Sequence, residues 1–163
     1  ADINADTWRG MEQLYKDGFV RAIGVCNFKI HHLQELKKTA DIMPMINQIE
    51  YHPGLDQKDI LHYCNENDIK VEASSPLGNG EILNNNILKE IAEKKRKTVA
   101  HISIRWEIQK GLIVFPKTCN IGRLAENMDV FDFELSKEEM SEIDNIPYCG
   151  GKGIDTDDVI ECG

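Results

Sequence analysis

The sequence predicts an α/β fold in which a parallel β-sheet is connected by crossover helices. Four short segments, marked by Ile23, Ile46, Val71 and Ile113, read as strands. Amphipathic helical patterns separate these segments; the first two intervals fit a repeating strand and helix unit, and the last contains an insertion. Strands and helices that alternate in this way build a parallel sheet, because each helix returns the chain to the end of the sheet at which the previous strand began.

The chain opens with a helical pattern that leads into the first strand. Thr7 is expected to cap this helix, which ends near Gly18. The first strand is predicted over residues 21–25. The apolar residues of the helix share one face: Trp8, Met11, Leu14 and Tyr15.

Two more strand and helix units follow. Strands are predicted over residues 45–50 and 70–73. The helix before the second strand carries its apolar residues at helical spacing: Ile30, Leu33, Leu36 and Ala40. The helix after it turns three residues inward: Ile60, Leu61 and Cys64.

A loop rich in Gly and Asn, residues 79–86, precedes two further helices and the fourth strand. Thr98 is predicted to cap the second of these helices, with Val99, Ile102 and Trp106 as its buried stripe. The fourth strand, residues 112–115, is a continuous apolar run between Gly111 and Pro116. Such a run predicts a strand that is buried on both faces.

The C-terminal part departs from the repeat. Ser136 and Glu139 form a capping-box pattern, which predicts a helix over residues 137–145. Residues 147–163 contain several Gly and Asp residues and predict a flexible tail. We therefore expect one domain over residues 1–146 and a tail over residues 147–163.

Composition limits the function classes. A net charge of −9 argues against nucleic-acid binding. No apolar run approaches the length of a membrane span or a signal peptide. The five cysteines form no CxxC pair and no metal-ligand spacing, so we expect reduced thiols in a cytoplasmic protein without a metal site.

Polar side chains follow the fourth predicted strand. Lys117 and Thr118 come directly after Pro116, and a helical pattern then carries Arg123, Glu126 and Asn127. Ligands of α/β proteins bind at the carboxyl edge of the sheet, where a helix N-terminus offers backbone N–H groups to an anion. The residues alone leave two interpretations open, a phosphate site and a solvated loop.

Four segments of the chain resemble the aldo-keto reductases. One is Pro116, Lys117, Thr118, Arg123, Glu126 and Asn127, which is similar to the PKS-x4-R-x2-EN segment of that family. The other three read IGVCNF from Ile23, INQIEYHP from Ile46 and VEASSPLGNG from Val71, in family order. The resemblance implies the C-terminal half of a (β/α)8 TIM barrel, whose four strands carry crossover helices. It also implies NADP(H) as the cofactor.

The resemblance assigns expected roles to the strand ends. Cys26, Asn27 and Gln48 stand where the family holds the nicotinamide carboxamide, and Cys26 replaces a Ser. Ser74 stands where the family usually has an aromatic residue that stacks on the nicotinamide ring, which a hydroxyl cannot do. The run that matches the pyrophosphate contacts is Ser75, Pro76, Leu77 and Gly78.

The same comparison with the family assigns the fourth strand end. Lys117, Thr118 and Arg123 match the contacts to the adenosine 2'-phosphate, and Glu126 and Asn127 match those to the adenine. An Arg can bind two phosphate oxygens at once. The cofactor expected from this set is NADP(H) rather than NAD(H).

The implied reaction is NADPH-dependent reduction of a small carbonyl substrate in a full-length parent. The catalytic tetrad of the family comes from the first half of the barrel, so we expect no catalytic residue in this chain. The four tyrosines and five histidines lie outside the tetrad motifs. The alternative is a non-catalytic nucleotide-binding or interaction module on the half barrel, which the departures at Cys26 and Ser74 favour.

Half a barrel leaves sheet edges and apolar strand residues without a covering wall. We therefore expect the chain to associate with the missing N-terminal half or with a second copy of itself. The apolar strand residues considered for burial in this way are Ile23, Val25, Ile46, Ile49, Val71, Ile113 and Phe115.

Overall fold

A computed structural model describes residues 3–150 and Asp157. Helices and strands alternate along the chain, and a 3-10 segment over Gly78–Asn84 is kinked at Asn79 and Gly80. The elements are α1 Ile3–Lys16, β1 Gly24–Cys26, α2 Ile30–Lys37, β2 Ile46–Glu50, α3 Lys58–Glu66, β3 Lys70–Ser74, α4 Asn86–Lys95, α5 Val99–Gln109, β4 Ile113–Val114, α6 Ile121–Met128 and α7 Lys137–Asp144.

The four strands form one parallel sheet in the order β1-β2-β3-β4. β1 pairs with β2 in a register that places Gly24 opposite Ile46 and Cys26 opposite Gln48. A Cβ at Gly24 would lie 2.7 Å from the Ile46 carbonyl oxygen, so the close approach of these strands requires glycine. The predicted parallel sheet with crossover helices is confirmed.

The chain divides into two compact units. The first comprises residues 1–49, 58–72 and 154–163. Its core holds Trp8, Ile23 and Leu36, and the Trp8 indole donates to the Ile42 carbonyl at 2.8 Å. The buried Glu12 accepts from the backbone N–H groups of residues 41 and 42 at 2.7 and 2.8 Å, so a carboxylate caps this turn from inside.

The second unit comprises residues 50–57 and 73–153. Trp106 is fully buried, stacks on Tyr51 at 5.4 Å and donates to Asp144 at 2.8 Å. The Lys110 ammonium lies over the Trp106 ring and between the carboxylates of Asp56 and Asp144, at 3.0 and 2.9 Å. Aromatic packing and an ion-pair network therefore join α5 and α7 to the segment that follows β2.

The two helix caps predicted in the second half are confirmed. The Thr98 hydroxyl accepts from the His101 N–H at the start of α5. Ser136 and Glu139 form the expected capping box of α7. These caps are local in sequence, which is why the pattern alone identifies them.

The predicted start of the first helix is wrong. α1 begins at Ile3, so Thr7 lies inside it rather than at its cap. Ala5 is buried in the first unit, and this packing extends the helix beyond the expected cap. Trp8 is buried on the expected face, whereas Leu14 is 43% exposed.

The two end strands are shorter than predicted. β1 covers Gly24–Cys26 instead of residues 21–25, and β4 covers only Ile113–Val114. The prediction that the fourth strand is buried on both faces is also wrong, because Ile113 and Phe115 are 41% and 49% exposed. Among the described residues, β4 is the last strand in the sheet order, so no strand of this part of the chain pairs with its outer edge.

The central strands bury one face within the chain itself. Asn47 and Ile49 of β2 are buried, as are Val71 and Ala73 of β3. The opposite face is half exposed and mostly polar: Ile46, Gln48, Glu50, Glu72 and Ser74. Of the apolar strand residues considered for burial by a partner, Ile23, Ile49 and Val71 are already covered.

Four cysteines within the described residues are free thiols, and Cys162 lies outside them. Within the same residues, no helix combines the length and apolar character that crossing a bilayer requires. The predicted tail, residues 147–163, lies mostly outside the described residues. At its start, the Cys149 N–H donates to the Gly54 carbonyl at 3.3 Å.

Candidate cofactor-binding site

The candidate residues follow the carboxyl ends of the strands. After β1, Asn27 adopts a left-handed conformation with φ of 57°. Its backbone N–H donates to the Gln48 carbonyl at 2.7 Å, so the backbone hydrogen bonds between β1 and β2 end at the residue where the chain turns. Asn tolerates this conformation better than most residues, and a strained backbone at a strand end is typical of a binding site.

Gln48 on β2 has both ends of its amide hydrogen-bonded. Its Oε1 accepts from the Cys26 thiol at 3.6 Å, and its Nε2 donates to the Glu72 carboxylate. Partial burial, assisted by the negative charge of Glu72, raises the pKa of Cys26 and keeps the thiol protonated. The three side chains therefore form a chain of hydrogen bonds across the half-exposed face of the first unit.

Glu72 was missed by sequence reasoning. The signal was available, because alternation along β3 places Glu72 on the same face as Ser74. A carboxylate that accepts from an amide Nε2 fixes which end of the amide is the donor. Glu72 thus orients Gln48 so that its oxygen faces Cys26.

The loop after β3 is held tightly in the second unit. Ser75 has a φ of 53°, an uncommon conformation for Ser. The buried Ser103 hydroxyl of α5 donates to the Pro76 carbonyl at 2.7 Å. Gly78 also has a positive φ, and a Cβ there would meet Ile82 at 3.0 Å and the His52 ring at 3.2 Å.

Ser74 precedes this loop and is half exposed, while Leu77 is half buried. Ser103 is a second residue that sequence reasoning missed, since its contact with Pro76 spans 27 positions of the chain. The loop from Ser74 to Gly78 is therefore shaped by glycine geometry and by α5, before any ligand is considered.

The segment after β4 is organised by short polar contacts. The Thr118 hydroxyl accepts from the Asn120 N–H at 3.1 Å, and the Asn120 side chain accepts from the Arg123 N–H at 3.2 Å. Asn120 is thus the N-cap of α6, a third residue that the sequence interpretation overlooked. This cap fixes the first turn of the helix that carries Arg123.

The cations of this segment stand on its surface. The side chains of Lys117 and Arg123 are exposed, and neither makes an ion pair within residues 3–150 and 157. The Glu126 carbonyl accepts from the His101 ring at 2.8 Å, which ties α6 to α5. Asn127 is half buried, although no residue of α6 is fully buried.

Of the tyrosines, Tyr51 directly follows β2, three positions after Gln48. Tyr51 is fully buried and donates its hydroxyl to Asp56. Burial, with the hydrogen bond to Asp56, raises the pKa of Tyr51 well above its ordinary value. This hydroxyl is therefore committed to the core of the second unit and unsuited to proton transfer.

Comparison with known proteins identifies the family. The aldo/keto reductase family model matches residues 4–147. Glyoxal reductase of Bacillus subtilis (strain 168) is 53% identical over 139 residues, which are 85% of this chain and 50% of the relative. The chain thus spans about half the length of this relative.

Solved structures agree with this match. The aldo-keto reductase MGS-M4 from a Medee basin deep-sea metagenome library has a TM-score of 0.89 at 40% identity, covering 95% of this chain and 58% of that one. A mutant of Gox0644 in complex with NADPH has a TM-score of 0.85 at 40% identity, covering 88% and 53%. The predicted fold, half of a (β/α)8 barrel, is confirmed, and the chain belongs to the aldo/keto reductase family.

Proposed function

We propose that this chain is the cofactor-binding half of an NADPH-dependent carbonyl reductase, and that its parent reduces small aldehydes or ketones to alcohols. Its family membership supports oxidoreductase chemistry. The relative named glyoxal reductase supports a small carbonyl substrate. The Gox0644 complex supports NADPH as the cofactor.

The observation that carries the proposal is the donor set at the strand ends. Asn27 and Gln48 offer amide groups, which pair with a carboxamide through one donor and one acceptor each. Lys117 and Arg123 offer exposed cations without an ion pair among the described residues, as a 2'-phosphate requires. The residues present fit NADP(H), which when bound supplies the hydride.

Each residue has one task in this proposal. Cys26, Asn27 and Gln48 would bind and orient the carboxamide, and Ser74 would stand at the nicotinamide, on which a hydroxyl cannot stack. Lys117, Thr118 and Arg123 bind the 2'-phosphate, with Glu126 and Asn127 at the adenine. The loop residues Ser75, Pro76, Leu77 and Gly78 contact the pyrophosphate.

The proposal assigns no catalytic residue to this chain. General acid catalysis needs a donor within hydrogen-bond reach of the substrate oxygen. The buried Tyr51 is bonded to Asp56 and does not meet that need. The proposal therefore assigns the proton donor to the N-terminal half of the barrel in the full-length parent, with residues 1–146 as the cofactor half and 147–163 as a tail.

A second candidate is a non-catalytic nucleotide-binding module. The observation that favours it is Ser74, which has no aromatic ring to position the nicotinamide. The two candidates differ in the parent protein, since only the reductase consumes NADPH when a small aldehyde is added. A parent that binds NADPH but never oxidises it would support the module.

The test of the cofactor assignment is an affinity comparison in the full-length parent. Arg123→Ala should weaken NADPH binding by about 10- to 150-fold, the equivalent of about 1.5–3 kcal/mol for hydrogen bonds to a charged group. NADH binding should stay unchanged, because NADH lacks the 2'-phosphate. Titration of each cofactor by fluorescence or calorimetry measures both constants.

Arg9→Ala is the matched control, because Arg9 is an exposed arginine of α1, 17 positions before Cys26, the nearest candidate residue in the sequence. It should leave both affinities as they are. Equal NADPH and NADH affinities in the unaltered protein, unchanged by Arg123→Ala, would remove the phosphate assignment.

A further inference from the structure

A cluster outside the candidate cofactor residues lies at the start of α2. Three cationic or hydrogen-bonding side chains, Lys29, His31 and His32, converge on the carboxylate of Asp157. Lys29 Nζ lies 2.5 Å from Oδ2, and the His31 and His32 Nε2 atoms lie 3.0 and 3.1 Å from Oδ1. One carboxylate is thus shared by three partners that lie 128, 126 and 125 positions before it in the chain.

The tautomer of His32 is set by the hydrogen bond at Nδ1, the ring nitrogen that does not face Asp157. The Lys29 backbone N–H donates to His32 Nδ1 at 3.1 Å, so that nitrogen is an acceptor. A neutral imidazole then carries its proton on Nε2, the atom that faces Asp157. His32 is therefore held as a hydrogen-bond donor toward the carboxylate.

The His32 tautomer with its proton on Nε2 indicates a carboxylate-binding site rather than a metal site. The ligand atoms of His31, His32 and Asp157 lie within 4.8 Å of one another, a spacing that a metal ion could use. A metal on His32 Nε2 would move the ring proton to Nδ1 and break the bond from Lys29. The Lys29 ammonium already neutralises the charge of the Asp157 carboxylate. This further favours a carboxylate-binding site over a metal site.

The cluster stands on a firmly held segment. The buried Asn47 side chain donates to the Phe28 carbonyl at 2.8 Å and accepts from the Phe28 N–H at 3.3 Å. The His32 ring packs against the Phe28 ring with 5.6 Å between centroids. The loop from Asn27 to α2 is thus pinned to β2, and the three donors are presented from a fixed position.

We propose that Lys29, His31 and His32 form a carboxylate-binding site whose ligand is Asp157 of the same chain. The site anchors Asp157 at the N-terminus of α2, close in sequence to Cys26 and Asn27. The lowered pKa of Asp157, caused first by its hydrogen bond to Lys29, agrees with a carboxylate that is bound in its charged form. The proposal does not depend on cofactor binding.

The test uses Lys152, which lies between the second unit's last helix and Asp157 in the sequence. In the chain of 163 residues, native-state trypsin cleavage after Lys152 should be about three- to tenfold faster in Asp157→Asn, the range for a partly exposed ion pair with added hydrogen bonds. Asp158→Asn is the matched control, because it removes the same charge from the adjacent residue. It should cleave at the rate of the unaltered chain.

Nitrogen NMR of the imidazole rings supplies a second readout. The His32 ring should show its proton on Nε2 in the unaltered chain, and the His31 and His32 ring signals should shift in Asp157→Asn but not in Asp158→Asn. Equal cleavage rates in Asp157→Asn and the unaltered chain would overturn the anchor. Zinc chloride that binds tightly and is lost in His32→Gln would also overturn it, in favour of a metal site.

Discussion

The candidate side chains of the two units differ in how many contacts they make with neighbouring residues. At β1 and β2, Gln48 is hydrogen-bonded by Cys26 at one end and by Glu72 at the other. After β4, Lys117 and Arg123 are exposed and make no ion pair within the part of the chain that the structure describes. The proposed carboxamide contacts are therefore held by their neighbours before a ligand arrives, whereas the proposed phosphate contacts are not.

The difference follows from what each group must do. An amide that presents one particular end to a ligand benefits from a fixed orientation, because less rotamer entropy is lost on binding. A cation that meets a phosphate gains its energy from charge and from release of its own solvent, so an internal carboxylate would compete with the ligand. The first region is built for orientation and the second for charge.

The largest expected effect concerns α6, which carries Arg123. None of its residues is buried, and its apolar residues Ile121, Leu124 and Met128 are exposed, so few contacts oppose its local opening. NADPH at 100 times its dissociation constant should slow amide exchange in Ile121–Met128 by about 100-fold, since such an excess stabilises the bound state by about 2.7 kcal/mol. Hydrogen exchange with mass spectrometry measures this, with the β2 peptide as reference.

The control for this experiment is NADH at the same concentration, which lacks the 2'-phosphate and should protect α6 far less. The comparison fails if α6 without cofactor exchanges as slowly as β2. It also fails if NADPH protects β2 and leaves α6 unchanged.

A smaller effect is expected from Glu72→Gln. A neutral amide accepts from Gln48 Nε2 less strongly than a carboxylate does, a difference of about 1 kcal/mol or about fivefold in affinity. Because Gln48 is assigned to the carboxamide, NADPH and NADH should weaken equally. Glu50→Gln, on the same face of β2, is the matched control and should change neither affinity.

The result for Glu72→Gln shows whether Glu72 supports the proposed carboxamide contacts or the proposed phosphate contacts. A loss confined to NADPH would mean that Glu72 acts on the phosphate contacts. No loss at all would mean that the bond between Glu72 and Gln48 does not orient the amide for binding.

Features set by neighbouring residues could be predicted from the sequence. The Thr98 and Ser136 caps are three residues from their partners, and β2 and β3 each differ by one residue from the strands predicted over residues 45–50 and 70–73. Thr7 was misassigned because burial of Ala5 extends α1, a tertiary effect that overrides a local cap. The burial expected for β4 failed because an apolar run does not reveal that its strand lies at the edge of the sheet that the described residues form.

The candidate site residues were predicted from family motifs, and their roles remain a prediction. The residues that support them in the structure were not predicted. Glu72 acts across two strands, and Ser103 reaches Pro76 from another helix. The contact of Asp157 with Lys29 joins positions far apart in the chain. Pairings at such separations have no local pattern, so only the three-dimensional structure reveals them.

The smallest expected effect is that of Cys26→Ser, which restores the residue that the family pattern has at this strand end. A hydroxyl is a stronger hydrogen-bond donor than a thiol, but its shorter bond gives it less reach toward Gln48 Oε1, which the sulfur meets at 3.6 Å. The stronger donor outweighs the shorter reach by a small margin, so NADPH and NADH should both bind about two- to threefold more tightly, or about 0.4–0.7 kcal/mol. Cys26→Ala is the matched comparison, since it removes the donor and keeps the small volume. Titration should then rank the affinities Ser above Cys above Ala; if the Ser and Ala variants bind alike, a donor at this position contributes nothing, and the orientation of Gln48 rests on Glu72 alone.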